Sequence, residues 1–357
     1  MLIKSDIHFY CTNIFDLKYI SSTIEACVES DLKVSLSIQN LKRRNFSQIQ
    51  QKLRRNVLVF KHEKLRKPLN TRLVVTPSSG VTKNLAKITT NIPLIHMPHS
   101  LASLTAIYPI NAFDEYDYIF ACGVHHIEEY QEVKNARHLN GEVLPVGYGF
   151  FDELNRAKSK IRLLAEGTRN NRCLIAPSWN DNSFLDSIGG ELIEQLIKSG
   201  DLVTLRPHPL YISKKFQMKK FYKIESMYPN FKIENPFKTS ISEILHADIL
   251  IGDYSGTSFE FAKLNRKPVI SIDTPIKSLN SDWEKRTNWP IELKYRNSIG
   301  VIVKPIVSQI TNVYRNLKTY GHQDMNSLDL INSSFFEGNP EISDNALFYI
   351  KRILDMQ

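Results

Sequence analysis

Cysteine is scarce in this 357-residue chain. Cys11, Cys27, Cys122 and Cys173 are widely scattered, and no two form a C-x-x-C pair. That spacing argues against a disulfide framework or a thiolate metal site and fits a reducing compartment. Long apolar runs are missing too. No stretch of about 18 apolar residues exists, so no membrane-spanning helix is expected. The opening Met1-Leu2-Ile3-Lys4-Ser5-Asp6 lacks the charged-then-apolar order of a secretory leader, so a cytoplasmic protein is expected. Internal repeats and low-complexity tracts are absent. No carboxylate cluster has metal-ligand spacing, so no metal is expected to be obligatory, and a loosely bound Mg²⁺ is compatible with the sequence.

Acidic residues are nearly absent from one region. Between Leu41 and Arg72 stand Lys42, Arg43, Arg44, Lys52, Arg54, Arg55, Lys61, Lys64, Arg66, Lys67 and Arg72 against Glu63 alone. This local excess is larger than the whole-chain net charge of +9, so the remainder is close to neutral. A strip of this kind suits an anionic partner: an acidic membrane surface or a polyanionic polymer. Nothing resembling a nucleic-acid module accompanies it, so nucleic acid is not expected as a partner.

What is present is the composition of a globular protein, with 42% hydrophobic and 23% charged residues. The length favours two domains. Strand-like apolar runs alternate with helical periodicity throughout, which predicts α/β architecture. In the first half, strands are expected at 7–10, 32–38, 56–60, 73–76, 94–96, 118–120 and 143–147, with a helix over 17–28. A fresh set of strands is expected at 173–176, 202–205, 249–252, 269–272 and 299–303. Helices are expected at 185–199, 240–246, 258–264, 307–317 and 343–355. The simplest assembly is two doubly wound domains facing a cleft, with ligands at the carboxyl ends of the strands. The expected division is 1–150, a crossover over 151–170, a second domain over 171–335, and a closing segment over 336–357 whose helix returns to the first domain.

Four strand-to-loop junctions carry groups suited to chemistry. After the run ending at Gly252, Asp253 leads to Ser255, Gly256, Thr257 and Ser258, and an amphipathic segment opens at Phe259. A helix that begins among such residues offers backbone N–H groups and a positive dipole end to a phosphate, although Ser255 or Thr257 could equally be a plain helix cap. After the strand at 202–205 comes Arg206-Pro207-His208-Pro209. The two prolines restrict the backbone around the imidazole, and Arg206 beside it makes a candidate clamp for a phosphoryl group. Leu94-Ile95-His96-Met97-Pro98-His99 places two histidines at a strand end, each a candidate general base. Ala176-Pro177-Ser178-Trp179 is a fourth junction. His125 and His126 read as structural, at a helix start.

These pieces together resemble the CDP-glycerol glycerophosphotransferase family. The resemblance rests on Arg206-Pro207-His208-Pro209, on Asp253-Tyr254-Ser255 leading to Phe259-Glu260, and on Lys267-Pro268-Val269-Ile270. Ala176-Pro177-Ser178-Trp179 and Gly147-Tyr148 to Asp152 match weaker signatures. His99-Ser100-Leu101 stands where the family usually shows His-Gly-Thr. The resemblance implies a GT-B fold, with a nucleotide donor such as CDP-glycerol on the C-terminal domain. It also implies transfer of a polyol phosphate to a hydroxyl of a lipid-linked or polymeric acceptor, in the cell-surface polymer chemistry of teichoic acids and capsules. His99 would lie near that hydroxyl, with His96 as its substitute, and His208 would contact the donor phosphates. The donor side comprises Arg206, Ser178, Asp253, Ser255, Gly256, Thr257, Ser258 and Glu260. The 41–72 strip would hold the enzyme at the inner face of the membrane. Two other readings keep the fold: a glycosyltransferase using a nucleotide-activated sugar, and a non-catalytic polyanion-binding protein.

Overall fold

A computed structural model describes residues 4–42, 45, 46, 49, 50, 53, 57–64, 69–80, 85, 92–162, 171–179, 183–234, 241–320, 334–336 and 341–357. The chain divides into two compact units. Unit 1 comprises Met1–Glu153, Leu279–Asn288 and Ser334–Gln357, and unit 2 comprises Leu154–Ser278 and Trp289–Ser333.

Unit 1 is built on a seven-stranded parallel sheet: β1 (Ile7–Cys11), β2 (Val34–Ile38), β3 (Leu58–Lys61), β4 (Leu73–Thr76), β5 (Leu94–His96), β6 (Tyr118–Ala121) and β7 (Glu142–Pro145), in the order β3-β2-β1-β4-β5-β6-β7. Strands β1, β2 and β4 are buried at every position, as expected where both faces of a parallel sheet are covered. Helix α1 (Leu17–Glu29) follows β1, and α2 (Val124–Arg137) joins β6 to β7. Helix α3 (Phe150–Arg162) carries the chain onward.

Unit 2 repeats the plan with β8 (Arg172–Ala176), β9 (Leu202–Leu205), β10 (Phe231–Ile233), β11 (Ile249–Gly252), β12 (Val269–Ile272) and β13 (Gly300–Val303), all parallel in the order β10-β9-β8-β11-β12-β13. Its helices are α4 (Phe184–Ser187), α5 (Gly189–Lys198), α6 (Pro209–Ile212), α7 (Lys215–Met227), α8 (Ile241–His246), α9 (Gly256–Asn265), α10 (Ile291–Lys294) and α11 (Val307–Tyr320). The core joins Ile175, Val203, Leu205, Ile251 and Ile270 of the sheet to Leu192, Leu196, Phe221 and Ile310 of the helices.

The last helix, α12 (Ile342–Asp355), belongs to unit 1 and packs on α1. It buries Ile342, Ala346, Ile350 and Ile353, a stripe at helical spacing. Asp152 receives the first backbone N–H groups of this helix, from Ile342 at 3.1 Å and Ser343 at 2.8 Å.

In both sheets the strand order reverses once, between β1 and β4 and between β8 and β11. Ligands of doubly wound sheets sit outside the carboxyl ends of the strands at such a reversal. Most strands fall where the sequence pattern puts them. The helix expected over 185–199 is interrupted at Ile188, ahead of Gly189-Gly190, and becomes α4 and α5. Strand β10 and helix α7 have no counterpart in the sequence expectations. Of the basic strip, Arg43, Arg44, Lys52, Arg54, Arg55, Arg66 and Lys67 lie outside the described residues, as does the 163–170 part of the crossover expected over 151–170, whose first part is helix α3. Arg72 is described, and its guanidinium donates to the carbonyl of Leu354 at the end of α12.

Candidate active site

In unit 2 the candidate residues gather at the carboxyl ends of β8, β9 and β11. Asp253 follows β11 directly and is fully buried. One carboxylate oxygen accepts the backbone N–H of Ser178, after β8, at 2.8 Å. The other accepts from Lys277 Nζ at 2.7 Å, and Lys277 also donates to Ser178 Oγ. The side chains of this ion pair are 1% and 0% exposed. Burial pushes the Lys277 ammonium below its usual range, opposed by the Asp253 carboxylate. Asp253 is thus a strut that ties the loops on either side of the strand reversal. A buried pair of this kind fixes geometry more surely than it adds stability.

That strut sets up the start of α9. Ser255 is the N-cap residue, its hydroxyl accepting from Thr257 N at 3.2 Å while Ser258 N reaches the Ser255 carbonyl at 3.0 Å. Ser255, Gly256 and Thr257 are half-buried at the helix mouth, where the backbone N–H of Gly256 and the positive end of the dipole form an arrangement suited to an anion. Ser258 and Glu260 are placed differently. Both are buried on the inner side of the helix, and Ser258 Oγ sits against the turn, 3.1 Å from where a Cβ on Gly252 would stand. Beside the mouth, Arg296 lies over the Tyr254 ring at 4.1 Å and donates to Asp273 at 3.1 Å.

The Arg206-Pro207-His208-Pro209 element divides its roles. Arg206 forms a bidentate pair with Glu234, at the end of β10, so its charge is neutralised within the fold rather than held open for a phosphate. His208 is half-buried and caps α6: its Nδ1 accepts the backbone N–H of Leu210 at 3.2 Å. In the neutral ring the proton is therefore on Nε2, which becomes a donor.

Unit 1 offers a second imidazole of the opposite tautomer. His99, half-buried in the loop after β5, has Nδ1 at 2.7 Å from the carbonyl of Pro77 in the loop after β4. A carbonyl only accepts, so Nδ1 carries a proton, and in the neutral ring Nε2 then keeps the lone pair. Tyr19 and Tyr108 flank the ring, and Tyr148 donates to the His99 carbonyl at 3.3 Å. Gly147, with φ of 107°, makes that turn beside Ile342. His96 is enclosed by Tyr108, Phe113 and Tyr116; burial and the neighbouring His99 and His126 hold its pKa well below the ordinary value. It is a core residue, unsuited to stand in for His99.

The loop carrying His99 is clamped by α2. His125 Nε2 and His126 Nε2 each meet a loop carbonyl at 3.0 Å, those of Leu101 and Ala102. Glu129 accepts from Leu104 N at 2.6 Å and Ser103 Oγ at 3.1 Å. From the later segment, Asn280 donates to the Thr105 carbonyl at 2.7 Å. Glu129, Asn280, Lys277 and Glu234 carried no signal in the sequence, since each acts on a group far away along the chain. A cavity of about 400 Å³ lies at the opposite, amino ends of β6 and β7. Its acidic lining, which includes Asp114, Asp117 and Glu142, does not suit a phosphate. Among the described residues no group of three His, Cys, Asp or Glu side chains could hold a metal ion, and no helix is long and apolar enough to cross a membrane.

The family model described as CDP-glycerol:poly(glycerophosphate) glycerophosphotransferase matches residues 36–278, more than half of the chain. No curated protein matches. Among solved structures, the chain is similar to the wall teichoic acid polymerase TagF soaked with CDPG. The TM-score is 0.63 at 16% identity, over 99% of this chain and 89% of that one. It is also similar to UDP-N-acetylglucosamine 2-epimerase from Rickettsia bellii, with TM-score 0.64 and 13% identity over 100% of this chain and 98% of that one. A third is UDP-GlcNAc 2-epimerase from Neisseria meningitidis, with TM-score 0.57 and 12% identity over 98% and 100%. At such identities the likeness is one of fold, and the fold is GT-B.

Proposed function

The chain belongs to the CDP-glycerol:poly(glycerophosphate) glycerophosphotransferase family, and from that premise we propose that it transfers glycerol phosphate from CDP-glycerol to a hydroxyl of a lipid-linked or polymeric acceptor, releasing CMP at the inner face of the membrane. The donor pyrophosphate lies against the mouth of α9, at Ser255, Gly256 and Thr257, with Ser178 and Asp253 setting the loops around it. The acceptor oxygen attacks the phosphorus that bears glycerol. A P–O bond forms to the acceptor, the bond to CMP breaks, and the acceptor proton passes to His99 Nε2. His208 donates from Nε2 to the phosphoryl oxygens as charge shifts towards the leaving group. Phosphoryl transfer depends mostly on positioning and charge stabilisation, so these groups suffice without a covalent nucleophile.

What supports this reading above all is the pair of opposed tautomers. Pro77 leaves His99 a lone pair, and the Leu210 amide leaves His208 a proton. No obligatory metal is part of the proposal. Turnover is expected to persist in excess EDTA, and its abolition would put Mg²⁺ in the donor complex. The decisive test is CMP release from CDP-glycerol with a hydroxyl acceptor. His99→Asn and His208→Ala should each lower turnover on the order of a hundredfold or more, and the product should carry the donor's distal phosphorus. A product lacking that phosphorus, or variants as active as the parent, would overturn the assignment.

A further inference from the structure

Helix α7 (Lys215–Met227) has two unlike sides. One is buried in the core of unit 2 through Met218, Phe221 and Ile224. The other carries Lys215, Phe216, Lys219, Tyr222 and Lys223, all exposed. Positions 215, 219, 222 and 226 share a face by helical spacing, as do 216, 219 and 223. Phe216 is 80% exposed and Tyr222 49%, and Leu210 on the preceding helix α6 is 60% exposed. Lys219 Nζ lies 5.7 Å from the centre of the Phe216 ring.

Single exposed apolar residues are ordinary on protein surfaces. Here two aromatic rings alternate with three lysines on one helix side, and the adjoining helix adds an exposed leucine. We propose that the outer face of α7, with Leu210, is a docking surface for an anionic lipid bilayer. Phe216 and Leu210 enter the boundary between head groups and acyl chains, Tyr222 lies at head-group depth, and Lys215, Lys219 and Lys223 meet the lipid phosphates. Amphipathic helices held at an interface combine an apolar anchor with basic residues in this way. Charge complementarity and the anchor together select the bilayer. A soluble polyanion would pair with the lysines but offers nothing apolar to Phe216, and a second copy of the chain would set lysines against lysines. The surface begins at Leu210, whose backbone N–H is the one capped by His208, so the short helix α6 carries both the candidate phosphate-contacting imidazole and one apolar residue of the docking surface. The inference goes beyond the transferase reading and does not depend on it, because lipid binding is measured without donor or turnover.

The full chain is mixed with vesicles of phosphatidylcholine alone and of phosphatidylcholine with phosphatidylglycerol, and sedimented. Binding is expected only to the anionic vesicles and should weaken as salt is raised. Phe216→Ser and the triple charge reversal K215E/K219E/K223E should each lower partitioning roughly tenfold or more. The substituted side chains are exposed, so thermal stability should be unchanged, which separates loss of docking from loss of fold. As an independent readout, Phe216→Cys is labelled with a polarity-sensitive dye. The four native cysteines are buried, so the label is selective. Its emission should shift to the blue on anionic vesicles. An unshifted label, variants that sediment like the parent, or binding to soluble poly(glycerol phosphate) without binding to vesicles would each overturn the proposal.

Discussion

In each unit, the chemistry proposed for the histidine depends on which of its ring nitrogens is already engaged. His99 and His208 are both half-buried at strand ends, but one is pinned through a protonated Nδ1 and the other through an unprotonated Nδ1. His126 shows the same control used for structure. Its Nδ1 accepts the Cys122 amide at 3.2 Å, so Nε2–H donates to Ala102 and holds the loop that carries His99. Burial lowers its pKa from 6.5 to about 4. Below pH 6.5 the unfolded chain binds a proton that the folded chain refuses, so stability rises with pH across this range. The contribution is complete above 6.5 and is lost as pH falls from there to about 4. Urea unfolding at a series of pH values should therefore show a smaller acid loss for His126→Gln than for the parent, by roughly 1.4 kcal/mol per pH unit inside that window. Equal slopes would mean that His126 is not the group refusing the proton. The two histidines and the serine cap were legible in the sequence because Pro and Gly beside a strand mark a rigid junction. Lys277 was not. A lysine in a loop reads as solvated, and only the fold brings it to Asp253, 24 positions earlier.

At the level of elements, legibility followed burial. Strands β4, β9, β11 and β12 match their expected limits because strands buried on both faces are continuous apolar runs. Strand β10 has three residues with Lys232 exposed at its centre, and this pattern is too short to read. Helix α7 escaped because Phe216 and Tyr222 stand on its outer side and blur the periodicity that its buried stripe would otherwise show. The turn between β7 and α3 depends on Gly147, whose φ of 107° lies in the region that favours glycine. A Cβ there would also meet Ile342 Cγ1 at 2.9 Å. Gly147→Ala should cost about 1–3 kcal/mol in chemical denaturation. It should also lower turnover, because the next residue, Tyr148, holds the His99 carbonyl. An alanine variant of parental stability would show that the turn tolerates the change.

For the whole molecule, the donor assignment makes a prediction that needs no acceptor. A ligand that binds only the folded chain stabilises it by about 2.7 kcal/mol at a hundred times its dissociation constant. CDP-glycerol should raise the melting temperature in a concentration-dependent way, and an absence of any shift at millimolar donor would argue against a nucleotide site in unit 2. The division of the chain into units also orders its birth. Helix α12, which packs on α1, is translated only after all of unit 2. A nascent chain emerging from the ribosome thus presents a seven-stranded sheet whose first helix still lacks its neighbour, while the second unit already has every strand it needs. The amino-terminal half is made first and completed last, so a chaperone acting during synthesis would find its apolar target on the face of α1 that α12 later covers.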